Sequence, residues 1–184
     1  PDVIIACMHW GEEYQSLPNR EQCELADWLL KQGVTHIIGS HPHVTQPMEL
    51  RTNGNQQHAI VYSLGNFISN MSAANTDGGL IFTLQLEKYP LPKPIRPLQN
   101  HSSHSPSPES FASSFPFARV VRCGYTLVWT GRPTLTGEKN YILYPSYSPH
   151  SHLPQSARNR LNIFIKNTRK FLVQHNTEIY ENNK

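Results

Sequence analysis

Two apolar runs bracket a capped amphipathic segment near the start of this chain, and that arrangement limits the fold more than any other feature. Val3–Cys7, "VIIAC", is short and rich in β-branched residues, as suits a strand buried on both faces. After the polar stretch "MHWGEEY" comes "LPNREQCELADWLLKQG". Asn19 stands as an N-cap with Gln22 three residues on, the spacing of a capping box. Leu25, Ala26, Leu29 and Leu30 make an apolar stripe at helical spacing, and Gly33 supplies the stop. Val34–Ile38 is a second apolar strand that leads into "GSHPHV". Strand, helix and strand within about 40 residues predict a βαβ unit, a parallel and normally right-handed connection.

Downstream, Ala59–Leu64 in "HAIVYSLGNFI" reads as a third strand, broken at Gly65-Asn66. "GGLIFTLQLEK" reads as a fourth, with Leu80, Phe82, Leu84 and Leu86 alternating against Ile81, Thr83 and Gln85. The composition then changes. "YPLPKPIRPLQNHSSHSPSPESFASSFP", from Tyr89 to Pro116, is rich in Pro and Ser and has no periodicity, which predicts a loop or disordered insertion. "ARVVRCGYTLVWT" predicts a strand, or a bent pair around Gly124, and "NYILYP" a short one. A last helix is expected with Pro154 at N1 and Ala157, Leu161, Phe164, Ile165, Phe171 and Leu172 on its buried face. These shifts divide the chain into residues 1–88, an insertion over 89–118, and C-terminal strands and helix over 119–184. There are no internal repeats.

At 184 residues the length suits one domain, and 38% hydrophobic residues suffice for a core. The net charge of +3 is weak and its basic residues are scattered except near the C-terminus, so no nucleic-acid stripe is present. Cys7, Cys23 and Cys123 are too far apart for a CxxC pair or a disulfide framework and leave the redox compartment open. No apolar window is long enough to span a membrane. The chain opens at Pro1-Asp2 directly into a strand, with no initiator Met or signal peptide. The expectation is a later portion of a longer protein.

The chemistry-bearing residues lie where strands end. In an extended segment, side chains two apart point the same way, and Pro42 biases His41 towards extended backbone. His41 and His43 are therefore expected to present two imidazoles on one side of a stiff loop. In open α/β sheets ligands bind beyond the carboxyl ends of the strands, and His9 sits just past the first. Neutral imidazole suits Zn, Fe, Mn or Ni-type ions. A lone histidine at a strand end is more often a hydrogen-bonded structural residue, and this chain has ten histidines. His9, His41 and His43 stand out because each follows an apolar run and lies beside a glycine turn. His36 and His58 read as ordinary strand or loop positions, and His101, His104, His150 and His152 lie in polar loops.

"DVIIACMHWGEEY", "GVTHIIGSHPHVTQPMEL" and "AIVYSLGNFISN" occur in the order and wording of the bacterial CapA-type capsule-synthesis family, also called poly-γ-glutamate synthesis proteins, which this chain resembles over about residues 1–88. The later "CGYTLVWTGRPTLTGEKNYILYP" looks like the tail of CapA-like proteins. The resemblance implies an α/β fold, the C-terminal part of a four-layered α/β/β/α metallophosphoesterase-like sandwich whose N-terminal strands would precede Pro1. It also implies that His9, His41 and His43 are metal ligands, with Ser40 inserted after Gly39 in the family's Gly-His-x-His loop. "SLGNF" supplies Ser63, Gly65 and Asn66 near the site. Glu12 and Asn66 become candidate catalytic or supporting residues beside His9, and Trp10 either packs over the site or fills core. The family's earlier aspartate-bearing "GD" and its "NNH" segment are absent, so one or two divalent ions (Mn, Zn or Fe) would meet an incomplete ligand set, and the chain alone is expected to be inactive. The implied role is synthesis or export of an anionic envelope polymer, by metal-assisted hydrolysis if catalytic. The implied partners are that polymer or its precursor and subunits of a membrane synthase. The expected place is the bacterial cell envelope. A phosphate-ester hydrolase of the wider metallophosphoesterase class and a non-catalytic scaffold are the rival readings.

Overall fold

The computed structural model describes residues 1–71, 73–88 and 118–182. The expected insertion, apart from Ala118, lies outside the described residues, as do His101 and His104. In chain order the elements are β1 (Ile5–His9), α1 (Arg20–Lys31), β2 (His36–Ser40), β3 (Met48–Asn53), β4 (Gln56–Val61), β5 (Gly78–Lys88), β6 (Ala118–Gly131), α2 (Pro133–Thr136), β7 (Ile142–Pro145), α3 (Gln155–His175) and β8 (Tyr180–Glu181). They form a mixed α/β arrangement with two sheets.

The first sheet has the order β1-β2-β4-β3. β1 and β2 run parallel, as the βαβ reading requires, and so do β2 and β4. α1 begins where its sequence places it. The Asn19 side chain accepts from the Gln22 N–H, the Gln22 side chain accepts from the Asn19 N–H, and Gly33 takes a positive φ after the last turn. Ala26 of α1 is fully buried against Ile37, Ile60, Tyr62 and Trp10, with Leu25, Leu29 and Leu30 packed around them. Neighbouring strand positions face the other way. Ile38, Met48 and Val61 share a second core with Leu80, Leu127 and Trp129 of the second sheet and with Ala157, Leu161, Phe164, Ile165 and Leu172 of α3.

The second sheet runs β5-β6-β7, all antiparallel, with β8 added in parallel beside β6. β5 and β6 pair from Gly78 opposite Trp129 to Lys88 opposite Ala118, so residues on both sides of the insertion share one ladder.

Several expectations are corrected. The first strand is Ile5–His9 rather than Val3–Cys7, and it is not buried on both faces. It forms the sheet edge with β2 as its partner, and Ile5 is 49% exposed. α1 covers the side of Ala6 and Met8, while Ile5, Cys7 and His9 face outward. The strand expected over Ala59–Leu64 begins and ends three residues earlier. It pairs with β3, an element the sequence reading lacks, through a tight turn at Gly54. β6 is continuous through Gly124, and the irregularity falls between Gln85 and Leu86 instead. Gly124 is small for another reason, since a Cβ there would lie 2.4 Å from Asn182 Oδ1 beside β8. Pro154 is the N-cap of α3, one residue before its expected place, and Phe171 is only partly buried.

Candidate metal centre

β1 and β2 end level with each other. His9 stands opposite Ser40 in the parallel register, so the loops that follow leave the same end of the sheet. Two bonds stitch that end together. The Trp10 N–H donates to the Ser40 carbonyl at 3.2 Å, and the Ser40 hydroxyl donates to the Met8 carbonyl at 3.1 Å.

The extended geometry expected for His41-Pro42-His43 is not what positions the rings. His41 has φ 103° and His43 has φ 62°. Both lie in the region that β-carbons disfavour, although histidine is among the residues found there more often than most. The loop over-determines this conformation. Pro42, Val44, Thr45 and Gln46 are buried, and the Pro42 carbonyl accepts from the Tyr14 N–H at 2.8 Å. Reversal of the chain at two points replaces the alternation of a strand, and it gathers the imidazoles. The His9 and His41 ring centroids are 4.4 Å apart, and those of His41 and His43 are 6.1 Å apart.

A carboxylate completes the group, and it comes from Glu13. Ligand atoms of Glu13, His41 and His43 all lie within 4.8 Å of one another, and Glu13 Oε1 is 3.8 Å from His43 Nε2. Glu12 turns elsewhere and accepts from the Asn19 side-chain amide at 3.3 Å. His9 adjoins His41 by its ring but is not part of the three-residue cluster. The neighbouring Tyr14 ring lies 6.2 Å from that of His43. Desolvation first, and then the Glu13 carboxylate, push the Tyr14 hydroxyl above the ordinary phenol range.

Asn66 meets His43 from below. Its Oδ1 lies 3.0 Å from His43 Nδ1, and its Nδ2 donates to the Thr76 carbonyl at 2.8 Å. Ser63 is buried and its hydroxyl accepts from the Gly65 N–H, closing the turn before Asn66. Trp10 is core: it is 8% exposed, stacks on Tyr62 and donates its indole N–H to the Tyr62 carbonyl at 2.8 Å.

The donors fit a divalent transition metal. Two imidazoles and one carboxylate suit Zn, Fe or Mn. Ligands of one ion bonded at about 2.1 Å lie at most about 4.2 Å apart, so the observed spread closes with small side-chain adjustments. Among the described residues no other three His, Cys, Asp or Glu side chains converge in this way. The site is an open surface. A groove of about 410 Å³ lined by Tyr125, Ser146, Arg169 and Glu181 lies away from the histidines.

Two residues important to this geometry have different legibility. The sequence points to Glu12 of "GEEY", yet the carboxylate that reaches His41 and His43 is its neighbour Glu13, and nothing in the sequence separates the two. Gln46 had no signal. It is fully buried, and it donates to the Gln15 and Leu17 carbonyls while accepting from Gln22, which pins the Glu12–Leu17 loop to α1.

Comparison with known proteins agrees with the motifs. Residues 1–71 match the family model described as "Bacterial capsule synthesis protein PGA_cap". The chain is 37% identical over 87 residues to the "PGA biosynthesis protein CapA" of Bacillus subtilis (strain 168), which covers 47% of this chain and 22% of that protein. It is 37% identical over 81 residues to the "Capsule biosynthesis protein CapA" of Bacillus anthracis, covering 44% of this chain and 19% of that protein. The aligned part thus spans about a fifth of the length of these curated relatives. No solved structure matches the chain.

Proposed function

We propose that this chain, whose residues 1–71 match the capsule synthesis family model, is a CapA-type protein that works in making or exporting an anionic envelope polymer, capsule or poly-γ-glutamate, through a metal centre built on His41, His43 and Glu13. The observation that carries the reading is the convergence of those three ligand atoms within 4.8 Å at the carboxyl end of a parallel sheet. His9, one ring away from His41, is the candidate further ligand or the group that steadies a leaving oxygen.

His41, His43 and Glu13 would hold a divalent ion, which would supply Lewis acidity towards a phosphoryl or acyl oxygen. The chain's own residues hold the ligands in place. Asn66 orients His43, Tyr14 flanks the cluster, and the Asn19–Glu12 bond keeps the neighbouring carboxylate off the imidazoles. The fold belongs with this reading as part of a four-layered α/β/β/α sandwich. Its support is that α1 covers one face of the first sheet, while the other face shares a core with the second sheet and α3. The substrate end of the polymer pathway, membrane synthase partners and a place in the cell envelope follow from the same premise. Among the described residues no helix is long and apolar enough to cross a membrane.

The test is genetic and chemical together. His41→Ala in the full-length protein is expected to abolish output of the anionic polymer in cells while protein abundance stays unchanged. Undiminished polymer would overturn the metal-dependent role and favour a scaffold within a synthase complex.

A further inference from the structure

A second network, built from residues beyond those the family model matches, reaches the metal centre from behind. Asp77 is 6% exposed and its Oδ2 accepts from two donors: Trp129 Nε1 at 3.0 Å and Arg160 Nε, on α3, at 2.7 Å. Its carbonyl accepts from the Thr130 N–H at 2.8 Å. A buried carboxylate needs such partners, and here they fix the backbone at Asp77. The preceding residue, Thr76, is fully buried, with its hydroxyl donating to the Ala73 carbonyl at 2.7 Å. The Thr76 carbonyl is therefore held rigidly, and it is the acceptor for Asn66 Nδ2.

That contact decides which way the Asn66 amide points. With its nitrogen donating to a carbonyl, its oxygen must face His43 Nδ1. An amide oxygen only accepts, so Nδ1 carries the imidazole proton and Nε2 keeps the lone pair. Nε2 is the atom that faces Glu13. A flipped amide would lose the Thr76 bond and aim an N–H at Nδ1, which would drive the proton to Nε2 and block ligation there.

We propose that α3 sets the proton position of His43 at a distance: Arg160 and Asp77 hold the Thr76 carbonyl, that carbonyl orients Asn66, and Asn66 keeps His43 Nε2 free for metal. The metal-binding half of the statement rests on the proposed function above. The proton-position half stands without it. Asp77 and Arg160 are positioning residues, and their hydrogen bonds go to the Asp77 turn rather than to an imidazole.

The experiment uses full-length ¹⁵N-labelled protein, metal-free, at about pH 8.5, where imidazoles are neutral. Imidazole ¹⁵N spectra, with His43→Gln to assign the signal, report which nitrogen carries the proton. The wild type is expected to show His43 with its proton on Nδ1. Asn66→Leu and Arg160→Met are expected to shift it towards Nε2, and Arg160→Lys to restore it. If Arg160→Met does not fold, Trp129→Phe removes the other donor to Asp77 and carries the same expectation. Zinc titration then gives a loss of about 10–100-fold in affinity for Asn66→Leu and a smaller loss for Arg160→Met. A wild-type proton on Nε2, or spectra unchanged in Asn66→Leu and Arg160→Met, would overturn the relay even if zinc binds normally. Spectra that shift as expected while no variant or wild type binds zinc would uphold the relay and overturn the metal reading.

Discussion

The indole of Trp10 lies across Gly39, so close that a Cβ at Gly39 would fall 2.4 Å from Trp10 Nε1 and 2.1 Å from the Tyr62 carbonyl oxygen. The same indole donates to that carbonyl. Gly39 therefore lets β2 run under Trp10 just before the chain turns into His41. Gly39→Ala forces backbone apart rather than a flexible side-chain tip. It is expected to cost about 2–3 kcal/mol, read as a lower urea midpoint, and to weaken metal binding because the loop starts from a displaced strand end. A midpoint equal to wild type would show that the close approach is not limiting.

Gln46 is the second structural lever. Gln46→Leu keeps the volume roughly but strands the Gln15 and Leu17 carbonyls and the Gln22 amide, which it now satisfies. Unsatisfied buried polar groups cost about 1–3 kcal/mol each, softened here by the partial exposure of the loop. The expected outcome is a drop of about 2 kcal/mol in unfolding free energy. Hydrogen exchange should rise in residues 12–18, the loop that carries Glu13. Protection unchanged in that loop would contradict its dependence on Gln46.

The stability of the fold should fall with acid through His36. This imidazole is 1% exposed, and burial first, then the nearby His58, push its pKa down to about 4. Its Nδ1 also accepts from the Ala59 N–H at 3.0 Å, a bond that protonation at Nδ1 would break. Because the unfolded chain takes up the proton first, this contribution is complete above the ordinary histidine pKa near 6.5. It is lost as pH falls from there towards about 4. Between pH 7.5 and pH 4.5 the loss is roughly 2–3 kcal/mol. Denaturant midpoints across that range should show it, and His36→Gln should flatten the slope. An equally steep slope in the variant would place the acid sensitivity elsewhere.

The paired glutamates should behave differently. Glu13→Gln is expected to weaken zinc or manganese binding to the full-length protein by more than about 100-fold, because it removes a ligand charge. Glu12→Gln should leave affinity nearly unchanged, since its carboxylate faces Asn19. Equal losses in both would mean that the loop rearranges around the ion.

What the sequence disclosed depended on how local the signal was. The βαβ unit was readable because Asn19, Gln22 and Gly33 terminate α1 by contacts within a few residues. β3 is less legible although its two-residue loop, Gly54-Asn55, is a hairpin signal, because "MELRTN" is poor in β-branched residues and its pairing with β4 decides the matter. β1 lies at the sheet edge where its apolar run predicts burial on both faces, since such a run does not say whether a strand has one neighbour or two. The sequence placed His41 and His43 together but not the positive φ at each, which the buried loop around them imposes. The choice of Glu13 over Glu12 depends on an irregular loop pinned by Gln46. The Asp77–Arg160 bond joins residues 83 apart in sequence and leaves no local trace.

Metal content is the most direct measurement. The full-length protein, purified without chelator and after incubation with Mn or Zn, is compared by elemental analysis with its His41→Ala/His43→Ala variant. The account predicts near-stoichiometric metal in the wild type and its loss in the variant, with the metal-free forms of both proteins melting at comparable temperatures. No metal in either protein, or equal metal in both, would contradict a centre built on these two histidines.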